Sequence, residues 1–243
     1  MIEVENLGKS FGEVAAVQDV SFTAGTGRIT GLLGPNGAGK STTLRILYTV
    51  LRPDRGRALV DGIDVVRDPL GARRRIGVLT HSAGSYRQLT ARENIRFFGR
   101  LHGMGGPTLE RRIDELVSKL EMAPFADRRT AGFSQGQKIK VALARALVHS
   151  PAIVLLDEPT NGLDVMATRA LRELIRELRA EGHCVLFSSH VMQEVAALCD
   201  EVVIIDRGRV AASGTPAALQ DRFGGTSLED TFVQVLGDQE GLA

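Results

Sequence analysis

The stretch GLLGPNGAGKSTT, residues 31–43, decides the fold of this chain. Within it, Gly34 and the later Gly39-Lys40-Ser41 fit the phosphate-binding pattern G-x-x-x-x-G-K-[ST]. The apolar run 29–33 predicts a buried strand before the loop, and residues 42–51 predict a helix after it. A strand, a glycine-rich loop and a helix in this order indicate a nucleoside triphosphate site rather than a turn that only caps a helix.

The residue types in the loop suit contact with phosphate oxygens. Gly34, Gly37 and Gly39 allow the backbone to pass close to an anion, so that N–H groups and the start of the next helix point at it. Lys40 supplies a positive charge for the β- and γ-phosphates. Ser41 offers a hydroxyl to Mg²⁺, which prefers oxygen ligands.

Composition and charge narrow the class of protein. The chain has 243 residues, of which 43% are hydrophobic and 24% charged, as expected for a globular domain with a substantial core. Its net charge of +1 gives no electrostatic case for nucleic acid or anionic lipid as a partner. Cys184 and Cys199 lack metal-ligand spacing and are expected to be reduced thiols. Without a membrane-spanning or signal-peptide pattern, we expect a cytoplasmic chain.

The order of apolar segments predicts an α/β fold. Residues 2–7 and 14–23, before the loop, indicate antiparallel β structure. In the second half, strands alternate with helices, which predicts a mostly parallel sheet with helices on both faces and sites at the carboxyl ends of its strands. The strands expected there are 153–156, 184–187 and 202–205.

A helical region interrupts the strands. Thr90 and Glu93 form the T-x-x-E pattern of a capping box, and apolar residues between 109 and 120 recur at helical spacing. We therefore expect a helical subdomain at about 82–149, inserted in a single domain 1–243. A short helical extension is expected at about 214–243.

Three polar side chains follow the predicted parallel strands. Asp157 is expected to hold a magnesium-bound water beside Ser41. Glu158, which points in a different direction, is a candidate general base for the attacking water. His190 is a candidate partner of the γ-phosphate. Phe11 leaves two interpretations open, an ordinary half-buried aromatic or a ring that stacks on adenine.

Five segments stand in the chain in the order GPNGAGKST, FSQGQ, IVLLDEP, NGLD and SSH. Together they resemble the ATP-binding subunits of ABC transporters over nearly the whole chain. The segment LTARENI and the short C-terminal tail are most similar to those of bacterial export-type subunits of the sodium-export and drug-export branch. The resemblance implies the ABC ATPase form of the P-loop NTPase fold, with a parallel core, an antiparallel β subdomain and a helical subdomain.

The resemblance also implies roles for single residues. Phe11 corresponds to the aromatic that stacks on adenine, His190 to the switch histidine and Asp164 to a loop at the dimer interface. The signature residues Ser134, Gly136 and Gln137 would complete the site of a partner subunit. The positions implied to bind phosphate and magnesium are Gly34, Pro35, Asn36, Gly37, Ala38, Gly39, Lys40, Ser41 and Thr42.

Two positions depart from the family pattern. Gln135 stands where the signature usually has glycine, and this side chain would alter how closely the loop approaches phosphate. His81 stands where the family has a magnesium-contacting Gln, although imidazole is a poor ligand for magnesium. Two roles are open for His81: contact through water, or a place on the surface that meets the permease.

The implied function is ATP hydrolysis with Mg²⁺, in which Lys40 stabilises charge and Glu158 positions water. Two such chains, expected to be copies of each other, would form a head-to-tail dimer and power a separately encoded membrane permease. The cargo would be an ion or small molecule, sodium among them, and the chain would lie on the inner face of the cell membrane. The alternatives are an ABC ATPase outside transport and an ATP-gated binding module with little turnover.

Overall fold

One ten-stranded sheet runs through the computed structural model, which describes residues 1–80 and 84–240, with side chains to residue 237. The strands in chain order are β1 (Ile2–Phe11), β2 (Val14–Ala24), β3 (Ile29–Leu33), β4 (Arg55–Val60), β5 (Ile63–Asp64), β6 (Ile76–Leu79), β7 (Ile153–Asp157), β8 (Cys184–Ser189), β9 (Glu201–Asp206) and β10 (Arg209–Gly214).

The sheet has a parallel part and an antiparallel part. Strands β9, β3, β8, β7 and β6 lie side by side and run parallel. Strands β5, β4, β1 and β2 form an antiparallel group, and β10 joins the two parts by pairing with both β2 and β9. The predicted α/β fold, with antiparallel strands before the phosphate loop and a parallel core after it, is confirmed.

Nine helices occur within the described residues, and the sheet has an apolar core on each face. Along the fully buried β7, side chains alternate between faces: Val154 and Leu156 join one apolar core, whereas Ile153 and Leu155 join the other. The helices are α1 (Lys40–Leu47), α2 (Pro69–Arg75), α3 (Ala91–Leu101), α4 (Gly106–Lys119), α5 (Gln135–Leu147), α6 (Val165–Ala180), α7 (Met192–Leu198), α8 (Pro216–Phe223) and α9 (Leu228–Glu240).

Some predicted boundaries were wrong by a few residues. The helix expected at 42–51 begins at Lys40, directly after the loop, and ends at Leu47 because Thr49 adopts a φ of 65°. The first strand continues through Gly8 to Phe11, with irregular register that accommodates the glycine. Strand β3 has the predicted bounds.

Helices α3, α4 and α5 pack on one another, and α5 also packs on β6. The capping box is present at α3, where Thr90 Oγ1 accepts from the N–H of Glu93 and the Glu93 carboxylate accepts from the N–H of Thr90. The division into a helical subdomain at 82–149 and an extension at 214–243 stays a prediction. Helices α8 and α9 lie within the second range.

Two histidines stack where α3 and α5 end. The rings of His102 and His149 are parallel within 5°, with centroids 3.6 Å apart. His149 Nε2 lies 3.1 Å from the carbonyl oxygen of Ile76, which can only accept, so Nε2 carries the proton. The other nitrogen, Nδ1, is buried without a partner among the described residues. Burial, with repulsion from His102 and Arg112, lowers the pKa of His149 to about 4.

This histidine is expected to make the protein less stable in mild acid. The unfolded chain takes up a proton at His149 near pH 6.5, whereas the folded chain resists it down to about pH 4. The free energy of unfolding should therefore fall by about 1–2 kcal/mol as the pH drops through this window, after allowance for partial exposure of the ring. Urea unfolding at pH 7 and pH 5 measures the change. In His149→Gln the fall should be smaller, and an equal fall in both proteins would contradict the assignment.

Candidate nucleotide-binding site

The glycine-rich loop lies between β3 and α1. It packs so closely against neighbouring backbone that Gly34 and Gly39 have no room for a side chain. Gly39 adopts a φ of 106°, in the left-handed region, and a Cβ atom there would lie 2.5 Å from the carbonyl oxygen of Ala16. A Cβ atom at Gly34 would lie 2.2 Å from the carbonyl oxygen of Ile205. Any larger residue would displace the loop, so glycine at both positions is a steric requirement.

The loop borders an open cavity of about 470 Å³, a volume suited to a small ligand. Phe11 lies on its rim at the end of β1 with 48% of its surface exposed. Glu158 and Arg207 also line it. The remaining lining residues are Val14, Ala15, Ala16, Gln18, Asn36, Gly37, Ala38, Gly39, Lys40, Ser41 and Thr42.

Lys40 is a buried cation at the floor of the cavity. Its Nζ donates to the carbonyl oxygens of Gly34 and Pro35, at 2.7 and 3.0 Å. Burial lowers the pKa of Lys40, and the charges of Glu158 and Asp157 oppose that shift. The lysine is thus held by its own loop at the start of α1, where an anion would also meet the helix N-terminus.

Asp157 and Ser41 are brought together as predicted. The carboxylate is buried at the end of β7, and its Oδ1 accepts from Ser41 Oγ at 3.0 Å and from Ser188 Oγ at 2.8 Å. A carboxylate and a hydroxyl side by side are the oxygen donors that Mg²⁺ prefers, so the donor set fits this ion.

Ser188 is a site residue that the sequence reasoning missed. Besides donating to Asp157, its hydroxyl accepts from the backbone N–H of Glu158 at 3.0 Å. It thereby fixes both carboxylate residues from the neighbouring strand β8. Its only signal in the sequence is its place in the SSH segment, in which His190 is the residue with a predicted role.

Glu158 and His190 lie in contact beside the cavity. Glu158 Oε2 is 3.4 Å from His190 Nδ1. Glu158 leaves the strand with a φ of 49°, an uncommon conformation for a residue other than glycine. Its different direction from Asp157 therefore comes from this turn of the backbone, not from strand alternation alone. A carboxylate next to an imidazole can accept a proton from water.

The signature residues belong to a separate surface. Ser134 caps α5, with its Oγ accepting from the N–H of Gln137 at 3.3 Å, while Gln137 Oε1 accepts from the N–H of Ser134 at 3.1 Å. Asp164 caps α6 by accepting from the N–H of Ala167 at 2.8 Å. Among the described residues that line the cavity, none belongs to these caps or to Gly136. His81 lies outside the described residues.

This loop, with its lysine and its hydroxyl–carboxylate pair, defines a P-loop nucleoside triphosphatase. A family model described as ABC transporter matches residues 17–161. The chain is 44% identical over 92% of its length to the ABC transporter ATP-binding protein NatA of Bacillus subtilis, covering 91% of that protein. It is 38% identical over 94% of its length to the daunorubicin resistance ATP-binding protein DrrA2 of Streptomyces coeruleorubidus, covering 71% of it. The chain belongs to the ABC transporter family.

Two solved structures have the same fold as this chain. An ATP-binding subunit of an ABC transporter superposes with a TM-score of 0.89 at 32% identity, over 97% of this chain and 99% of that one. A dimeric post-hydrolysis ATP-binding cassette with bound ADP and Pi gives a TM-score of 0.80 at 27% identity, over 88% and 98% of the two chains.

The predicted ABC ATPase fold and the resemblance to export-type subunits are therefore confirmed. The chain is an ABC ATPase that binds ATP and couples its hydrolysis to transport. ABC ATP-binding domains form dimers and act with membrane permeases. In the described part of this chain, no helix has the length and apolar character to cross a bilayer.

Proposed function

We propose that this chain is the ATPase subunit of an ABC exporter, in which two copies enclose two ATP molecules head to tail. The observation that carries the proposal is the contact between Glu158 and His190 at the edge of the phosphate-loop cavity. Contact with an imidazole gives the carboxylate a fixed place from which to act on water. The pair therefore favours an enzyme with turnover over a module that only binds ATP.

Each residue of the site has a part in hydrolysis. Lys40 and the start of α1 bind the phosphates and stabilise the charge that develops on them. Glu158 orients the attacking water and accepts its proton, and His190 forms a hydrogen bond with the γ-phosphate. Mg²⁺, when bound by Ser41 and through water by Asp157, supplies further charge stabilisation. Phe11, exposed on the rim, is placed to stack on adenine.

The second half of each site would come from the partner chain. Ser134 is exposed at the N-terminus of α5, a helix of 13 residues whose start carries about half a positive charge. Set against the γ-phosphate of another copy, with Gly136 and Gln137 beside it, this helix end attracts ATP across the interface. The N-terminus of α6, capped by Asp164, would border the same interface. ATP binding then closes the dimer and hydrolysis opens it.

The names of the relatives support an export role for this chain. Proteins named for daunorubicin resistance, linearmycin resistance and Nod factor export are 34–38% identical to this chain. We accordingly assign export of an ion or small molecule through a separately encoded integral membrane protein, with sodium kept as a candidate by the resemblance. The chain would then sit at the inner face of the cell membrane, held there by the permease.

Affinity purification of the tagged chain from detergent-solubilised membranes of its host tests the proposal. An integral membrane protein should co-purify, and the complex should release phosphate from ATP over many turnovers. Recovery of an active ATPase with no membrane protein would favour an ABC ATPase outside transport. A complex that binds ATP without repeated turnover would favour the ATP-gated binding module.

A further inference from the structure

Glu194, on α7, is a buried acid to which the mechanism above assigns no part. Only 5% of its surface is exposed, and glutamate is rarely buried to this degree unless it is paired. Its Oε2 accepts from Thr160 Oγ1 at 2.6 Å and, at a longer distance, from Ser189 Oγ at 3.5 Å. Its Oε1 lies 3.7 Å from Arg172 Nη2 on α6.

The hydroxyl partners of Glu194 flank the two reacting side chains. Thr160 is two residues after Glu158, and Ser189 directly precedes His190. Ser189 Oγ also accepts from the N–H of Val191 at 3.0 Å, so it holds the backbone on the far side of His190. One carboxylate therefore joins the segment that carries Glu158 to the segment that carries His190.

This connection complements the one made by Ser188. The Ser188 hydroxyl fixes the backbone N–H of Glu158 from the end of β8. If the hydrogen bonds to Glu194 were lost, the bond from the Glu158 N–H to Ser188 would remain, but the bond made by Thr160, two residues later, would be missing. The 3.4 Å contact between Glu158 and His190 depends on the relative position of these two segments.

We propose that Glu194 is a positioning residue for ATP hydrolysis, which keeps the Glu158 segment against the His190 segment. The proposal rests on the roles proposed above for Glu158 and His190. Glu194 does not itself border the cavity as the described residues outline it. Its loss should therefore lower kcat and leave the affinity for ATP unchanged, whereas a residue that only stabilises the fold would change neither in the folded protein.

The test uses Glu194→Met in the full chain, because methionine keeps much of the side-chain volume and removes the oxygen that accepts from Thr160 and Ser189. We expect kcat to fall between about 10-fold and about 100-fold, the loss typical of a reacting group displaced by about 1 Å. The affinity for a fluorescent ATP analogue should stay within about twofold. Glu173→Met is the matched control, since Glu173 is exposed on α6 and pairs with Arg176 at the surface.

A second pair of variants shows whether Glu194 acts through Thr160. Thr160→Val removes the hydroxyl with little change in shape and should lower kcat, whereas Thr160→Ser keeps the hydroxyl and should restore it. Adding Glu194→Met to Thr160→Val should lower kcat by a smaller factor than Glu194→Met does in the wild type. Unchanged kcat in Glu194→Met, fully additive losses, or loss of ATP affinity in step with kcat would each overturn the proposal.

Failure of this inference is distinguishable from failure of the proposed function. If Glu158→Gln is inactive while Glu194→Met turns over like the wild type, Glu194 has no positioning role and the base assignment stands. If Glu158→Gln itself turns over normally, the roles on which the inference rests are wrong and the inference is overturned with them.

Discussion

Glu158→Gln is expected to stop ATP turnover while the protein still binds ATP and accumulates as a dimer. An amide cannot accept the proton of the attacking water, and loss of a general base costs about 100-fold to 10,000-fold in rate. The side chain keeps its size, and the backbone N–H bond to Ser188 is unaffected. Because ATP is not hydrolysed, it stays bound between the two chains and the dimer does not open.

Steady-state phosphate release and molar mass in solution with Mg²⁺ and ATP check this result. Glu173→Gln provides the control, since it makes the same chemical change on the exposed face of α6. Hydrolysis by Glu158→Gln at the wild-type rate would mean that another group activates the water. A monomer under saturating ATP would mean that nucleotide does not join the chains.

Lys40→Met is expected to weaken ATP binding strongly. Methionine retains much of the buried aliphatic volume, so the fold should survive, but the positive charge at the phosphates is lost. Hydrogen bonds to charged groups contribute about 1.5–3 kcal/mol each, which corresponds to a loss of affinity of about 10-fold to 150-fold. Turnover should fall further, because the same charge stabilises the transition state.

Equilibrium binding of a fluorescent ATP analogue measures the loss, and a thermal unfolding scan establishes that the variant is folded. Lys119→Met is a suitable comparison, since Lys119 forms an ion pair with Glu181 on the surface. If folded Lys40→Met bound the analogue as tightly as the wild type, the phosphates would not lie at the glycine-rich loop.

Much of the core could be predicted because its signals are local. Strand β3, the loop and α1 follow from a short run of residue types, and the capping box at Thr90 follows from one pattern. The pairing of Asp157 with Ser41 could also be anticipated, since parallel strands deliver their carboxyl ends to one edge of the sheet.

Other features depend on contacts between distant segments and left little trace in the sequence. The double role of Ser188 arises from the register of β8 against β7, which sets Asp157 opposite Ser188. In the sequence, Glu194 cannot be distinguished from an exposed glutamate on a helix. Only the fold shows that it is buried and bonded to Thr160. The short helix α2 buries only Ala72, so its sequence has no apolar periodicity from which a helix could be predicted.

The central claim is that each ATP site is completed by Ser134 and α5 of a second chain. Its most direct test compares Glu158→Gln/Ser134→Asp with Glu158→Gln/Ser134→Asn in Mg²⁺ and ATP, by molar mass in solution. Both replacements can cap α5, but only Asp places a negative charge against the γ-phosphate. We predict that the Asn protein has twice the monomer mass of 26.2 kDa, whereas the Asp protein binds ATP and stays at the monomer mass. Equal dimerisation of the two proteins would contradict the account.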